Sequence, residues 1–172
     1  MSDDPPIAYI VDTNVLSNRG AVEAGPNLTE WLRLNAGQIC VSVVTVAEMQ
    51  RGLLLLEAKL AKITDRRVRR REHDRLSRKR AWYDELTRRF ADRIEPIDLN
   101  VAERWAEISV RFPSLRDGDK AILATALSKG FAVATENVGD YRASGVILVN
   151  PFDRDTWQER ADDDPIIPLL RR

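Results

Sequence analysis

Residues 7–14, Ile-Ala-Tyr-Ile-Val-Asp-Thr-Asn, decide how the chain is to be read. The apolar, partly β-branched run over 7–11 stops abruptly at Asp12, Thr13 and Asn14, the pattern of a short buried strand feeding a turn into a helix. Working outward, residues 39–43 predict a second buried strand. Between the two, Leu28, Trp31 and Leu32 recur at helical spacing over 27–35, with Asn27 or Thr29 as N-cap and Gly37 as the stop. After the second strand, Thr45 and Glu48 form the S/T-x-x-E capping pattern, which places Glu48 in the first turn of an Ala-, Leu-, Glu- and Lys-rich helix. A highly charged stretch over 65–93 carries one apolar stripe, Leu76, Tyr83, Leu86 and Phe90, and predicts a long solvated helix.

Residues 94–98 predict a strand whose Pro96 points to an edge position, and Val101, Trp105, Ile108 and Phe112 then give an amphipathic helix stopped by Pro113. A further helix over 117–130 closes on Gly130 and runs into a strand over 131–135; residues 147–149 form the last strand. Strands alternating with helices predict an α/β fold. Its form is a three-layer α/β/α sandwich around a mainly parallel sheet, with a helical hairpin after the second strand. A single domain spans residues 1–172, with its core over about 7–152. The polar tail over 153–172 ends in PIIPLLRR, a docking segment or a loose end.

Lys plus Arg and Asp plus Glu both total 27, so neither a strongly basic nucleic-acid binder nor an acidic disordered protein is indicated, and electrostatics must act locally. The single cysteine, Cys40, lies in an apolar run; it excludes a disulfide framework, fits a reducing compartment and reads as a buried small hydrophobe. The N-terminus is no secretory signal, and no apolar stretch approaches the roughly 20 residues of a membrane span, so a cytoplasmic location without membrane contact is expected.

In such a fold ligands gather beyond the carboxyl ends of the strands. Asp12 ends the first strand, Glu48 opens the helix after the second, Asp119 opens the helix before the fourth, and Glu136, Asn137 and Asp140 follow the fourth. Each acid alone also suits a helix N-terminus. Asp119, however, precedes Ile122 and Leu123 by three and four residues, on the core-facing line of its helix. Converging carboxylates resist desolvation unless protonated or matched by a cation, and a divalent metal resolves that cost. Carboxylate and amide oxygens suit Mg2+ or Mn2+. Cys40 and His73 are the only soft candidates, and His73 sits on the solvated helix. With no histidine base and no placed thiol, chemistry falls to acids and metal, which together orient a water and stabilise charge on a phosphodiester.

The motifs VDTNVLS (11–17), VSVVTVAEMQRGL (41–53), DKAILATA (119–126) and VATENVGDYRASGVILVNPF (133–152) stand in one order along the chain. Together they resemble the PIN-domain toxins of bacterial toxin–antitoxin modules, the VapC family and its FitB-like branch. The resemblance covers about residues 7–152. It implies a Mg2+- or Mn2+-dependent endoribonuclease, usually a homodimer, inhibited by a cognate antitoxin through which alone it reaches DNA. Asp12, Glu48 and Asp119 match the family's first three acidic positions. Asn137 stands where some members have Asp, with Asp140 and Glu136 as nearby substitutes, so the fourth ligand and the number of ions stay open. The resemblance thus gives Asp12, Glu48, Asp119 and Asn137 as catalytic residues, and Asp12, Asp119, Glu48 and Asp140 as metal ligands. Thr13 and Asn14 read as turn-making or water-positioning.

Residues 62–93 carry thirteen Lys and Arg against six Asp and Glu, a local excess of +7 that the balanced totals conceal. Arg69, Arg70 and Arg71 lie within it. They are candidates for RNA phosphates or an antitoxin, against the alternative of a solvated hairpin laced with i,i+4 ion pairs. Trp31, Trp82, Trp105 and Trp157 sit at amphipathic spacing and read as core or interface. A competing function is a binding module on the same scaffold without hydrolysis, which the three retained acids argue against. A haloacid-type phosphatase would want Asp two residues after Asp12, where this chain has Asn14.

Overall fold

The computed structural model describes residues 8–19 and 25–157. Five short strands, β1 (Tyr9–Val11), β2 (Ile39–Ser42), β3 (Ile94–Glu95), β4 (Ala132–Ala134) and β5 (Leu148–Val149), form one sheet in the order β3-β2-β1-β4-β5. All four pairings are parallel; Ile10 lies opposite Cys40 and Val133, and Val11 opposite Val41 and Ala134. Parallel neighbours need long crossovers, and the helices between strands supply them.

Because side chains alternate across a pleated sheet, two cores form. On one face Val11, Ile39, Val41, Ala134 and Val149 pack with Val15 and Leu16 of α1 (Thr13–Arg19). Leu28 and Trp31 of α2 (Pro26–Leu34) and Leu86 of α4 (Arg66–Arg89) complete that core. On the other, Ile10, Cys40 and Val133 pack with Val101 and Ile108 of α5 (Leu99–Arg111) and Ile122 and Leu123 of α6 (Asp117–Lys129). The three-layer α/β/α sandwich expected from the sequence is the observed one. Full burial of each such Ile or Leu contributes about 1.5–3 kcal/mol, enough to hold the strand ends rigidly. Pro96 follows β3, which is indeed an edge strand, and Gly130 caps α6 at φ 71°, a conformation that favours glycine.

After β2 comes α3 (Val43–Leu60), then α4, whose N-cap Asp65 accepts the Arg67 and Val68 N–H groups at 2.8 and 2.9 Å. Arg80 pairs with Glu57 across this hairpin. Two expected caps move. The Ser42 hydroxyl accepts the Val44 N–H at 3.2 Å, so α3 starts two residues before Thr45 and Glu48 falls in its second turn. Thr45 is buried instead, its hydroxyl without a hydrogen-bond partner among the described residues. Likewise α2 starts at Pro26, whose missing N–H costs nothing at that position, and ends against Asn35 before Gly37 is reached. Asn27 donates its side-chain amide to the Phe152 carbonyl at 2.9 Å. A last helix, α7 (Val138–Tyr141), follows β4. The segment over 158–172, including the expected docking tail, lies outside the described residues, as does residue 7 at the start of the expected first strand.

Candidate active site

The chain leaves β1 to one side of the sheet and later returns to pair β4 on the other side, so the boundary between β1 and β4 is the topological switch point where α/β folds build sites. Asp12 ends β1 and Thr135 follows β4. The Thr135 hydroxyl donates to Asp12 Oδ2 at 2.7 Å and accepts from Asn14 Nδ2 at 3.2 Å and from the Asn137 N–H at 3.0 Å. The Asp12 N–H donates to the Ala134 carbonyl at 2.9 Å. These bonds fix the first acid on rigid backbone. Asp119 comes from the first turn of α6, buried as its core-facing position predicts, and Arg116 forks onto it, Nε to Oδ2 at 2.8 Å and Nη2 to Oδ1 at 3.2 Å.

Glu48 reaches in from α3, where the Thr13 hydroxyl donates to Oε2 at 2.6 Å. Its carboxylate lies over Gly118, next to Asp119. A Cβ at residue 118 would stand 3.0 Å from the Glu48 carboxyl carbon and closer still to Oε1, so the absence of a side chain there makes the cradle. Tyr141 of α7 is fully buried beneath the two aspartates. Its hydroxyl has no well-formed hydrogen bond among the described residues, although Asp119 is near enough to act on its proton.

The electrostatics follow from that crowding. Burial raises the Asp12 pKa above 3.8; the Thr135 hydroxyl pulls it down and the Asp119 charge raises it again. Burial, then the charges of Asp12 and Asp119, push the Tyr141 hydroxyl far above its ordinary value, so it stays protonated. Arg116 is raised by its bonds to Asp119 and then by that carboxylate's charge. Two acids that repel each other in a dry pocket, an acid cradled over a glycine and a buried phenol facing both suit a hard dication bound by oxygen. Among the described residues no three of His, Cys, Asp and Glu stand in ligand geometry about one point, and the Asp119 oxygens face Arg116.

Of the residues singled out from sequence, Asp12, Glu48 and Asp119 are brought to one place. Glu136, Asn137 and Asp140 follow β4 at the same edge as exposed side chains that make no ion pair or hydrogen bond with those acids. His73 is exposed on α4; Cys40 is buried, its thiol pushed up to about 11 chiefly by burial. Thr135, Arg116, Gly118 and Tyr141 were not anticipated. Arg116 stands three residues before Asp119, a spacing that brings side chains together on a helix, and was the one readable signal.

A groove of about 610 Å³ runs between α3 and α4 and ends at Thr13 and Glu48. Met49, Leu53 and Leu56 line it beside Trp82 and Tyr83, and Arg75, Arg78 and Lys79 supply its cations. Arg69, Arg70 and Arg71 are exposed one to two turns earlier on α4 and are not among the lining residues. No described helix is long and apolar enough to cross a membrane.

The PIN domain family model matches residues 9–146. Toxin FitB of Neisseria gonorrhoeae is 30% identical over 149 residues, covering 83% of this chain and 97% of that one. The VapC ribonuclease Y4jK of Sinorhizobium fredii is 26% identical over 150 residues, 84% and 97% of the two chains. The solved structure of FitAB bound to a DNA fragment superposes with a TM-score of 0.61 at 27% identity, covering 84% of this chain and 96% of its counterpart. On this evidence the chain belongs to the PIN domain family and groups there with the VapC and FitB toxins.

Proposed function

We propose that the protein is a metal-dependent endoribonuclease, the toxin of a toxin–antitoxin module, acting in the cytoplasm. The observation that carries the reading is the meeting of Asp12 and Asp119, both buried, at the sheet's switch point, with Glu48 held over Gly118 beside them. The relatives' names, a VapC ribonuclease and the toxin FitB, support the reaction class. Asp12, Asp119 and Glu48 would hold Mg2+ or Mn2+, with Asp140 as a fourth ligand and Asn137 as a polar catalytic neighbour. A divalent ion bound there supplies Lewis acidity toward the phosphodiester and acidifies the attacking water.

The chain's own residues do the rest. Thr135 and the β1 backbone hold Asp12 in one orientation, and Thr13 does the same for Glu48. The apolar lining of the α3–α4 groove screens bases from water while Arg75, Arg78 and Lys79 meet RNA phosphates along the approach. A cognate antitoxin would inhibit the enzyme and carry it to DNA, as the FitAB–DNA structure suggests for that complex, and the working form would be a homodimer. Incubating the purified chain, freed of any antitoxin, with RNA and Mn2+ or Mg2+ beside an Asp12→Asn variant tests this. Asp12-dependent, chelator-sensitive cleavage is expected; RNA binding without cleavage would instead favour a non-catalytic binding module.

A further inference from the structure

Among the described residues Arg116 forms the only ion pair to any of the three clustered acids, and the pair is asymmetric. The Asp119 side chain is 8% exposed, whereas the Arg116 side chain is 74% exposed. One partner is fixed in the fold and the other stands in solvent at the rim. The guanidinium fork engages both carboxylate oxygens, at 2.8 and 3.2 Å, and so covers the carboxylate that would bind a dication. Arg116 is the N-cap residue of α6, yet its side chain makes no capping bond, and besides Asp119 the more distant Asp12 charge attracts it. Opening the pair returns the exposed guanidinium to water but leaves the buried Asp119 carboxylate uncompensated, a cost that an arriving dication would offset. The freed guanidinium remains tethered next to Asp119, where a phosphate approaching the acids would pass, and its planar fork matches phosphate oxygens as well as carboxylate.

We propose that Arg116 is a reversible occupant of the metal position: it covers Asp119 in the resting chain, yields those oxygens to a divalent cation, and then grips the substrate phosphate. This rests on the nuclease reading of the same acids. Arg116 has two alternative partners, and each is available only when the other is not needed. The resting protein thereby neutralises a buried carboxylate that faces a second one, and the loaded protein gains a cation aimed at the charge that develops on the phosphodiester.

Mn2+ titration of the full chain without RNA, by calorimetry, separates the two roles when run on wild type, Arg116→Ala and Asp12→Asn. Removing the competitor should tighten Mn2+ binding about three- to tenfold in Arg116→Ala. The same variant at saturating Mn2+ should cleave RNA about a hundredfold more slowly, with the loss in kcat. Arg116→Lys, which keeps the charge and loses the fork, should recover part of that rate. A merely structural arginine would not move metal affinity upward and turnover downward together. Equal or weaker Mn2+ affinity in Arg116→Ala overturns the proposal, and tighter binding with undiminished turnover overturns its phosphate-holding half. If wild type binds Mn2+ in an Asp12-dependent way, the nuclease reading stands whichever way Arg116 behaves. If neither wild type nor Arg116→Ala binds Mn2+, the metal reading itself falls and takes this proposal with it.

Discussion

The switch point of the sheet and the α3–α4 hairpin handle charge in opposite ways. At the switch point two carboxylates are buried and a third stands exposed at the rim, each held by a named bond: Asp12 by Thr135, Asp119 by Arg116 and, at the rim, Glu48 by Thr13. On the hairpin, many cations stand in water on one long helix, and pairs such as Arg88 with Glu85 are exposed at both ends. Position is costly at the first and nearly free at the second. Burial makes Asp12 and Asp119 each a penalty that only a partner removes, whereas solvent screening makes any single arginine of α4 replaceable. Chemistry therefore belongs where the electrostatics is strained, and attraction where it is relaxed.

The sharpest test of that contrast is Asp12→Asn. Cleavage should fall by about three orders of magnitude, roughly 4 kcal/mol of transition-state stabilisation. The fold should gain. Because the Asp12 pKa is raised in the native chain, the native state holds that proton more tightly than the unfolded state does. Stability then falls as pH rises from 3.8 through the higher native value, and the full cost persists above it. In a chelator at neutral pH, Asp12→Asn should melt about 2–4 °C higher, the advantage vanishing in acid below pH 3.8. A lower melting point at neutral pH would mean that Asp12 is a structural cap after all.

Gly118→Ala probes the cradle without touching a charge. The new methyl collides with the end of a flexible side chain, so Glu48 must turn away. Mn2+ affinity should drop about tenfold while the urea midpoint barely changes. An unchanged affinity would remove Glu48 from the ligand set.

On the hairpin, losing Arg78 and Lys79 together should weaken single-stranded RNA binding and reduce the slope of log affinity against log salt by about 1.4, roughly 0.7 per phosphate contact. Neutralising Arg69, Arg70 and Arg71 should reduce it less, because those residues lie outside the groove. Fluorescence anisotropy across a KCl series reads both, and equal slopes would dissolve the distinction between groove and outer helix. The smallest effect is expected from Tyr141→Phe, which deletes a buried hydroxyl without a well-formed bond and should leave unfolding free energy unchanged or raised by about 0.5–1 kcal/mol.

Asp12 was legible because a strand that ends on an acid is written in consecutive letters, and Asp119 because helical spacing from Ile122 and Leu123 aims it at the core. Glu48 does lie at this edge of the sheet, but not for the reason its sequence context suggests. A capping box was read at Thr45, but the chain caps α3 on Ser42, and Glu48 owes its position to Thr13, 35 residues away. Thr135, Gly118 and Tyr141 had no local signal, since their significance lies in what the fold sets against them. The strand pattern carried the sheet, down to the edge position announced by Pro96. Helix starts were less readable, because Ser42 and the Gly25–Pro26 pair are start signals as good as Thr45, Asn27 and Thr29.

The hydrogen bond between Thr135 and Asp12 spans 123 positions of the chain. Synthesis proceeds from the N-terminus, so a nascent polypeptide displays Asp12, and then Glu48, long before α6 and β4 have emerged to complete the pocket. Until that late docking, the growing chain holds scattered carboxylates and no assembled cutting centre. If the chain cuts RNA as proposed, this order of assembly would delay that activity until α6 and β4 have been made.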